Sequence, residues 1–207
     1  MNYTIGLISI ALTSIFFNNI LLGQFLGMCS FLECSKNIKT AWGLGIAVTL
    51  VLAITSPLNW LLYTFVLKEG ALSWVGQGAV NLDFLKFLSF IAVIAASVQI
   101  LEMAMEKFTP PLYSALGIFL PLITVNCAIL GVALFFVEKK YDFTQTMVYS
   151  VASGLGWFLA IMGLSAIKRK MKYSNVPAGL QGMGITFITA GLMSMAFMCF
   201  AGIDLSK

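Results

Sequence analysis

No charged side chain occurs between Met1 and Leu32, and none between Phe108 and Val137. As a helix, at about 1.5 Å per residue, either run would outreach the ~30 Å hydrocarbon core of a bilayer. The rest of the chain agrees: 10% of its 207 residues are charged and 60% are hydrophobic. Soluble domains carry roughly a quarter charged residues, and twelve basic plus eight acidic side chains cannot cover a globule of this size. A soluble monomer is excluded, and so is a disordered chain, which needs high charge and low hydrophobicity. Histidine is absent, which removes every imidazole-based triad, proton shuttle and metal site.

The charges mark loops between six apolar stretches, approximately 5–32, 42–66, 84–105, 112–137, 144–167 and 179–203. Each is long enough to cross a bilayer as a helix. The first lacks a basic n-region and is too long for a secretory signal. Alternate loops hold Lys36, Lys39, Lys107, Lys168, Arg169, Lys170 and Lys172 on one side, against Lys68, Lys86, Lys139, Lys140 and Lys207 on the other. The dense run at 168–172, flanked by apolar sequence, suits a cytoplasmic juxtamembrane anchor better than a nucleic-acid contact. Both termini are therefore expected outside the cytoplasm, the bilayer is the expected partner, and nucleic acid is not.

Two stretches are unsuited to simple helices. Asn18, Asn19, Gly23, Gln24 and Gly27 interrupt the first, and Gly117, Pro121, Thr124 and Asn126 interrupt the fourth. Such residues survive at membrane depth only where protein or a cavity satisfies the backbone. The two also resemble each other. Leu22-Gly23-Gln24-Phe25-Leu26-Gly27 precedes Cys29, and Leu116-Gly117-Ile118-Phe119-Leu120-Pro121 precedes Cys127. The spacing to the cysteine differs by four residues, about one helical turn. Repeats of three spans must be inverted, a plan known among transporters with broken helices. The expected fold is all-α: one membrane domain over 1–207, with six transmembrane helices in two inverted three-helix repeats, approximately 1–105 and 106–207, whose first and fourth helices are broken.

Four cysteines occur and none forms a C-x-x-C pair. Buried cysteine commonly acts as a small hydrophobe, and Cys34 and Cys199 are read that way. The interrupted segments single out Cys29 and Cys127 as candidate ligands. Thiolates suit iron–sulfur clusters, which usually need four, so two would have to come from elsewhere. Glu102 lies near the end of the third stretch; a carboxylate there is either a cation-path or proton-relay residue or an interfacial, solvated one. The G-x-G pairs at 43 and 45, 154 and 156, and 182 and 184 follow no strand, so they read as helix packing rather than nucleotide loops. Met193, Met195 and Met198 are likewise read as packing.

Several blocks carry a family resemblance: Phe25-Leu26-Gly27-Met28-Cys29, the segment from Leu116 to Cys127, Gln99-Ile100-Leu101-Glu102-Met103, Met171-Lys172-Tyr173 with Val176-Pro177, and Ile185 through Met193. Nearly end to end, the chain resembles the NqrE family of membrane subunits of the sodium-translocating NADH:quinone reductase, whose sister family is RnfA of the Rnf complex. The resemblance implies a bacterial inner-membrane subunit, inactive alone, paired pseudo-symmetrically with the homologous NqrD subunit. Each of the pair would supply two cysteines, here Cys29 and Cys127, to one intramembrane [2Fe-2S] cluster. Electrons from NADH would pass through this centre toward ubiquinone, with NqrA, NqrB, NqrC and NqrF completing the complex and sodium moving outward. The family usually carries Glu-Asn where this chain has Asn18-Asn19, a pair more typical of RnfA. The alternatives are thus an RnfA-like subunit of an ion-translocating ferredoxin:NAD oxidoreductase, or a secondary transporter without a redox centre. The sequence offers no nucleotide- or flavin-binding residues.

Overall fold

Backbone in hydrocarbon must satisfy its own hydrogen bonds, and a helix does so within one segment. The computed structural model describes residues 2–67, 85–108 and 123–201, and every regular element among them is helical. Helix α1, Asn2–Leu12, continues through a π-type turn, Thr13–Phe17, and stops at Asn18. An irregular segment leads to the short α2, Met28–Cys34. Helix α3, Ile38–Leu62, extends through a second π-type turn, Tyr63–Leu67, and α4 spans Lys86–Phe108. Helix α5, Cys127–Glu138, and α6, Phe143–Met171, follow; a 3-10 turn, Ala178–Leu180, precedes α7, Met183–Ala201.

The first interruption lies where the polar residues and glycines announce it, splitting the first apolar stretch into two helical pieces. In the fourth stretch α5 starts abruptly at Cys127 behind the N-cap Asn126. The expected counterpart motif at 116–121 lies outside the described residues, as do Lys68 and Lys207. Three helical segments have the length and apolarity to span a bilayer, Ile38–Leu67, Lys86–Ala104 and Phe143–Met171. The basic run belongs to the end of α6 rather than to the following loop: Lys168, Arg169 and Lys170 form its last turn. Lysine and arginine are good helix formers, and their charge there complements the negative end of the helix dipole.

Helices α3 and α6 form the central pair, with α1, α4, α5 and α7 packed around them. Small residues permit the approach. A Cβ on Gly45 would run into the Phe158 ring, and one on Gly154 would lie 3.0 Å from the Thr49 backbone. These two glycines carry the packing role expected of the G-x-G pairs. Gly182 and Gly184 do not, since a Cβ on either would meet nothing within 4 Å; Gly182 instead turns the chain into α7 with φ of 94°. The methionines divide in the same way. Met193 packs against Gly163, while Met195 and Met198 are 60% and 56% exposed. The core is filled by Trp157, Phe31, Phe90 and Phe136, together with Ile20, Leu21 and Leu22 of the irregular segment. The outer faces of α1, α4 and α7 present Ile8, Leu88 and Phe187, an apolar exterior that suits lipid.

Candidate metal centre

The break after α1 is closed by a side chain that replaces missing helical hydrogen bonds. Asn19 is 1% exposed. Its Nδ2 donates to Ile15 O at 3.1 Å and to Gly156 O at 2.8 Å, and its Oδ1 accepts from the N–H of Leu21 at 3.0 Å. From α7, Ser194 Oγ donates to Leu22 O at 2.7 Å. Backbone bonds from Gly23 to Asn19 O and from Leu26 to Ile20 O complete the turn. Buried polar backbone without partners would cost on the order of 1–3 kcal/mol per group, so these contacts make the break tenable.

Two left-handed residues, Phe25 with φ of 56° and Gly27 with φ of 84°, return the chain to helix. Only glycine fits at 27. A Cβ there would stand 2.7 Å from Trp157 Nε1 and 3.1 Å from both Ala128 Cβ and Asn126 Oδ1. This close approach brings the second break against the first. Asn126 caps α5, its Oδ1 accepting from Ala128 N–H at 3.0 Å, while its Nδ2 donates to Ser30 Oγ at 3.2 Å. Ser30 Oγ in turn donates to Gly27 O at 3.1 Å, and the Gly27 N–H donates to Cys127 Sγ at 2.9 Å.

The segments that carry the two sequence-marked cysteines therefore touch. Cys127 opens α5, Cys29 lies in the first turn of α2, and the hydrogen bond sets Cys127 Sγ against the backbone two residues from Cys29. Cys127 stands at the N-terminus of α5, the positive end of the helix dipole. Both cysteines are exposed although Ser30, Asn126 and Ala128 beside them are buried. Among the described residues no three His, Cys, Asp or Glu side chains converge. The donor set is thus two accessible soft ligands with a fixed N–H at one sulfur. Two such ligands would fit half of a four-thiolate iron–sulfur site, which would need two more.

Cys34, 2% exposed, is a core residue, and Cys199 is exposed on α7. Glu102 is half-buried on α4, one turn before Glu106, and takes no part in the bonds that join the breaks. Asn18 accepts from Gln24 Nε2 at 3.4 Å. The pair faces a cleft of about 370 Å³ shared with Glu138, Lys139 and Tyr149. Lys139 Nζ stands 5.2 Å from the Tyr149 ring centre, and burial pulls its pKa below the usual lysine range.

Trp157, Ser30 and Ser194 are marked as functional by no local pattern. Ser30 and Ser194 bond to partners 96 and 172 positions away, which no spacing rule detects. Trp157 follows the Gly154, Gly156 pair directly; it is fully buried against Gly27, and its Nε1 has no hydrogen-bond partner among the described residues.

Comparison with known proteins gives this geometry its family. The model of the Rnf-Nqr subunit, a membrane protein family, matches residues 7–204. The chain is similar to the E subunit of the Na(+)-translocating NADH-quinone reductase of Psychrobacter cryohalolentis, 58% identical over 96% of this chain and 98% of the relative. The corresponding proteins of Shewanella denitrificans and Azotobacter vinelandii, which bear the same name, are 57% and 58% identical over the same shares. The chain, with its two broken segments joined at Cys127, belongs to the Rnf-Nqr family of membrane subunits.

Proposed function

We propose that this chain is the NqrE-type component of a sodium-translocating NADH:ubiquinone reductase of the bacterial inner membrane, and that Cys29 and Cys127 hold half of a [2Fe-2S] cluster shared with the homologous NqrD subunit. The observation that carries this reading is the meeting of the two breaks, with the Gly27 N–H on Cys127 Sγ at 2.9 Å. Near-complete coverage of relatives named as the E subunit of that reductase supports the sodium-linked complex over the RnfA-like alternative that Asn18-Asn19 would suit. In the same reading the chain is one domain of two inverted repeats, approximately 1–105 and 106–207, with six spans and both termini periplasmic. NqrA, NqrB, NqrC and NqrF complete the complex.

When bound, such a cluster accepts and releases single electrons. The residues of this chain supply the surroundings. The N-terminus of α5 behind Cys127 and the Gly27 N–H stabilise negative charge on sulfur, which favours the reduced form. Trp157, Phe31 and Ala128 keep water from the rear of the site. Rigid donors aimed at the charge need no reorganisation when it changes. Glu102, a hard oxygen ligand on a separate helix, suits outward sodium passage rather than iron.

Replacement of the thiols tests the assignment. Cys29→Ser or Cys127→Ser in the assembled complex should remove the cluster's iron and stop NADH-driven quinone reduction. NADH oxidation with an artificial acceptor at the upstream flavin should continue. Cys34→Ser and Cys199→Ser should keep both activities. Full quinone activity in Cys127→Ser would end the cluster assignment.

A further inference from the structure

The basic end of α6 is folded against the C-terminal end of α2. Lys168 Nζ donates to Leu32 O at 3.3 Å and to Ser35 Oγ at 2.7 Å. This brings the bases of two distant segments around one recess. A cleft of about 710 Å³ has Lys36, Lys168 and Lys172 at its rim and Leu32, Met183 and Ile185 on its walls. A second recess of about 470 Å³ shares Lys36 and Lys172 with it and adds Lys39 and Arg169. Five basic side chains thus face the two recesses, against one carboxylate, Glu33. That carboxylate is taken up by Lys36 at 2.6 Å. Among the described residues Lys39, Arg169 and Lys172 have no acidic partner. Like charges gathered in this way repel until an anion separates them.

The walls decide which anion. From the basic rim the cleft runs onto α7, whose Met183, Phe187 and Ile188 are 63%, 51% and 45% exposed. Tyr173, 92% exposed beside the rim, is of the type found at the membrane–water boundary. A phosphate lodged among the lysines would have an apolar track leading away from it into the hydrocarbon. Basic pockets between helices at the membrane surface bind anionic headgroups for this reason. We propose that this cleft is a binding site for one anionic phospholipid, its phosphate held by Lys36, Lys168 and Lys172 and its acyl chains lying over Leu32, Met183 and Ile185.

The test uses the purified, assembled complex with its iron content measured as a check on folding. Lys36→Gln with Lys172→Gln is the variant of choice, because Lys168 also ties α2 to α6. After delipidation, each complex is titrated with phosphatidylglycerol or phosphatidylcholine, and bound lipid is counted by native mass spectrometry. The wild type should hold one phosphatidylglycerol that the double variant binds roughly 30-fold more weakly, with phosphatidylcholine equal in both. Equal retention of phosphatidylglycerol by variant and wild type would overturn the proposal. Displacement of the bound lipid by millimolar inorganic phosphate would overturn it in favour of a soluble phosphate site. Loss of a neighbouring subunit from the variant, with lipid counts unchanged, would overturn it in favour of a protein contact.

Discussion

Gly27→Ala adds one methyl group at the point where the two breaks touch. The left-handed backbone there, φ of 84°, costs a residue with a Cβ about 1–2 kcal/mol. The methyl would also meet Trp157 Nε1 at 2.7 Å and Ala128 Cβ and Asn126 Oδ1 at 3.1 Å, and overpacking of this kind costs about 1–3 kcal/mol. Together these come to about 2–5 kcal/mol, less than the stability of many domains, so the fold should persist with the segment displaced. The bond most exposed to that displacement is the one from Gly27 N–H to Cys127 Sγ at 2.9 Å. Hydrogen bonds to charged groups contribute about 1.5–3 kcal/mol. For a one-electron couple a tenfold change, about 1.4 kcal/mol, corresponds to about 59 mV. Loss of this donor should therefore lower the cluster's midpoint potential by up to about 60–130 mV, and lower the thermal stability of the complex. Redox titration followed by electron paramagnetic resonance, with iron and labile sulfide analysis, measures both the shift and the cluster content. Gly191→Ala is the control, since a Cβ there would meet no neighbouring element within 4 Å, and it should leave the potential unchanged. A Gly27→Ala complex with full iron and the wild-type potential would refute the role given to this peptide N–H.

Glu102→Gln removes the charge of the half-buried carboxylate on α4 while keeping its shape. Iron content should remain normal, while turnover falls or its sodium stimulation shifts; an unchanged sodium dependence would return the residue to a solvated, interfacial role. Reporter fusions after Lys39, Lys107 and Lys172 should read as cytoplasmic, and those after Lys68, Lys140 and Lys207 as external, with a cytoplasmic C-terminus refuting the orientation.

The membrane class and the all-helical character are readable from the chain alone, because the cost of unpaired backbone in hydrocarbon leaves few alternatives. The first break is legible for the same reason. Asn18, Asn19, Gly23 and Gly27 are residues an uninterrupted helix would not favour, and they occupy the non-helical segment. Cys29 and Cys127 stand out by their position after such segments. What local pattern cannot supply is the way these pieces touch. Asn19 reaches Gly156, Ser194 reaches Leu22, and Asn126 reaches Ser30, each across a separation that no periodicity encodes. The roles of the small residues are settled by neighbours too. Gly45 and Gly154 admit a facing helix, whereas a Cβ on Gly182 or Gly184, in the same kind of pair, would meet nothing within 4 Å. The basic run at 168–172 reads as a loop by charge, yet most of it forms the last turn of α6, where the helix dipole favours it. Its lysine at 168 then bonds back to the end of α2. Composition and spacing state which residues tolerate the bilayer, but the hydrogen bonds and close contacts that assemble a site depend on which helices lie side by side.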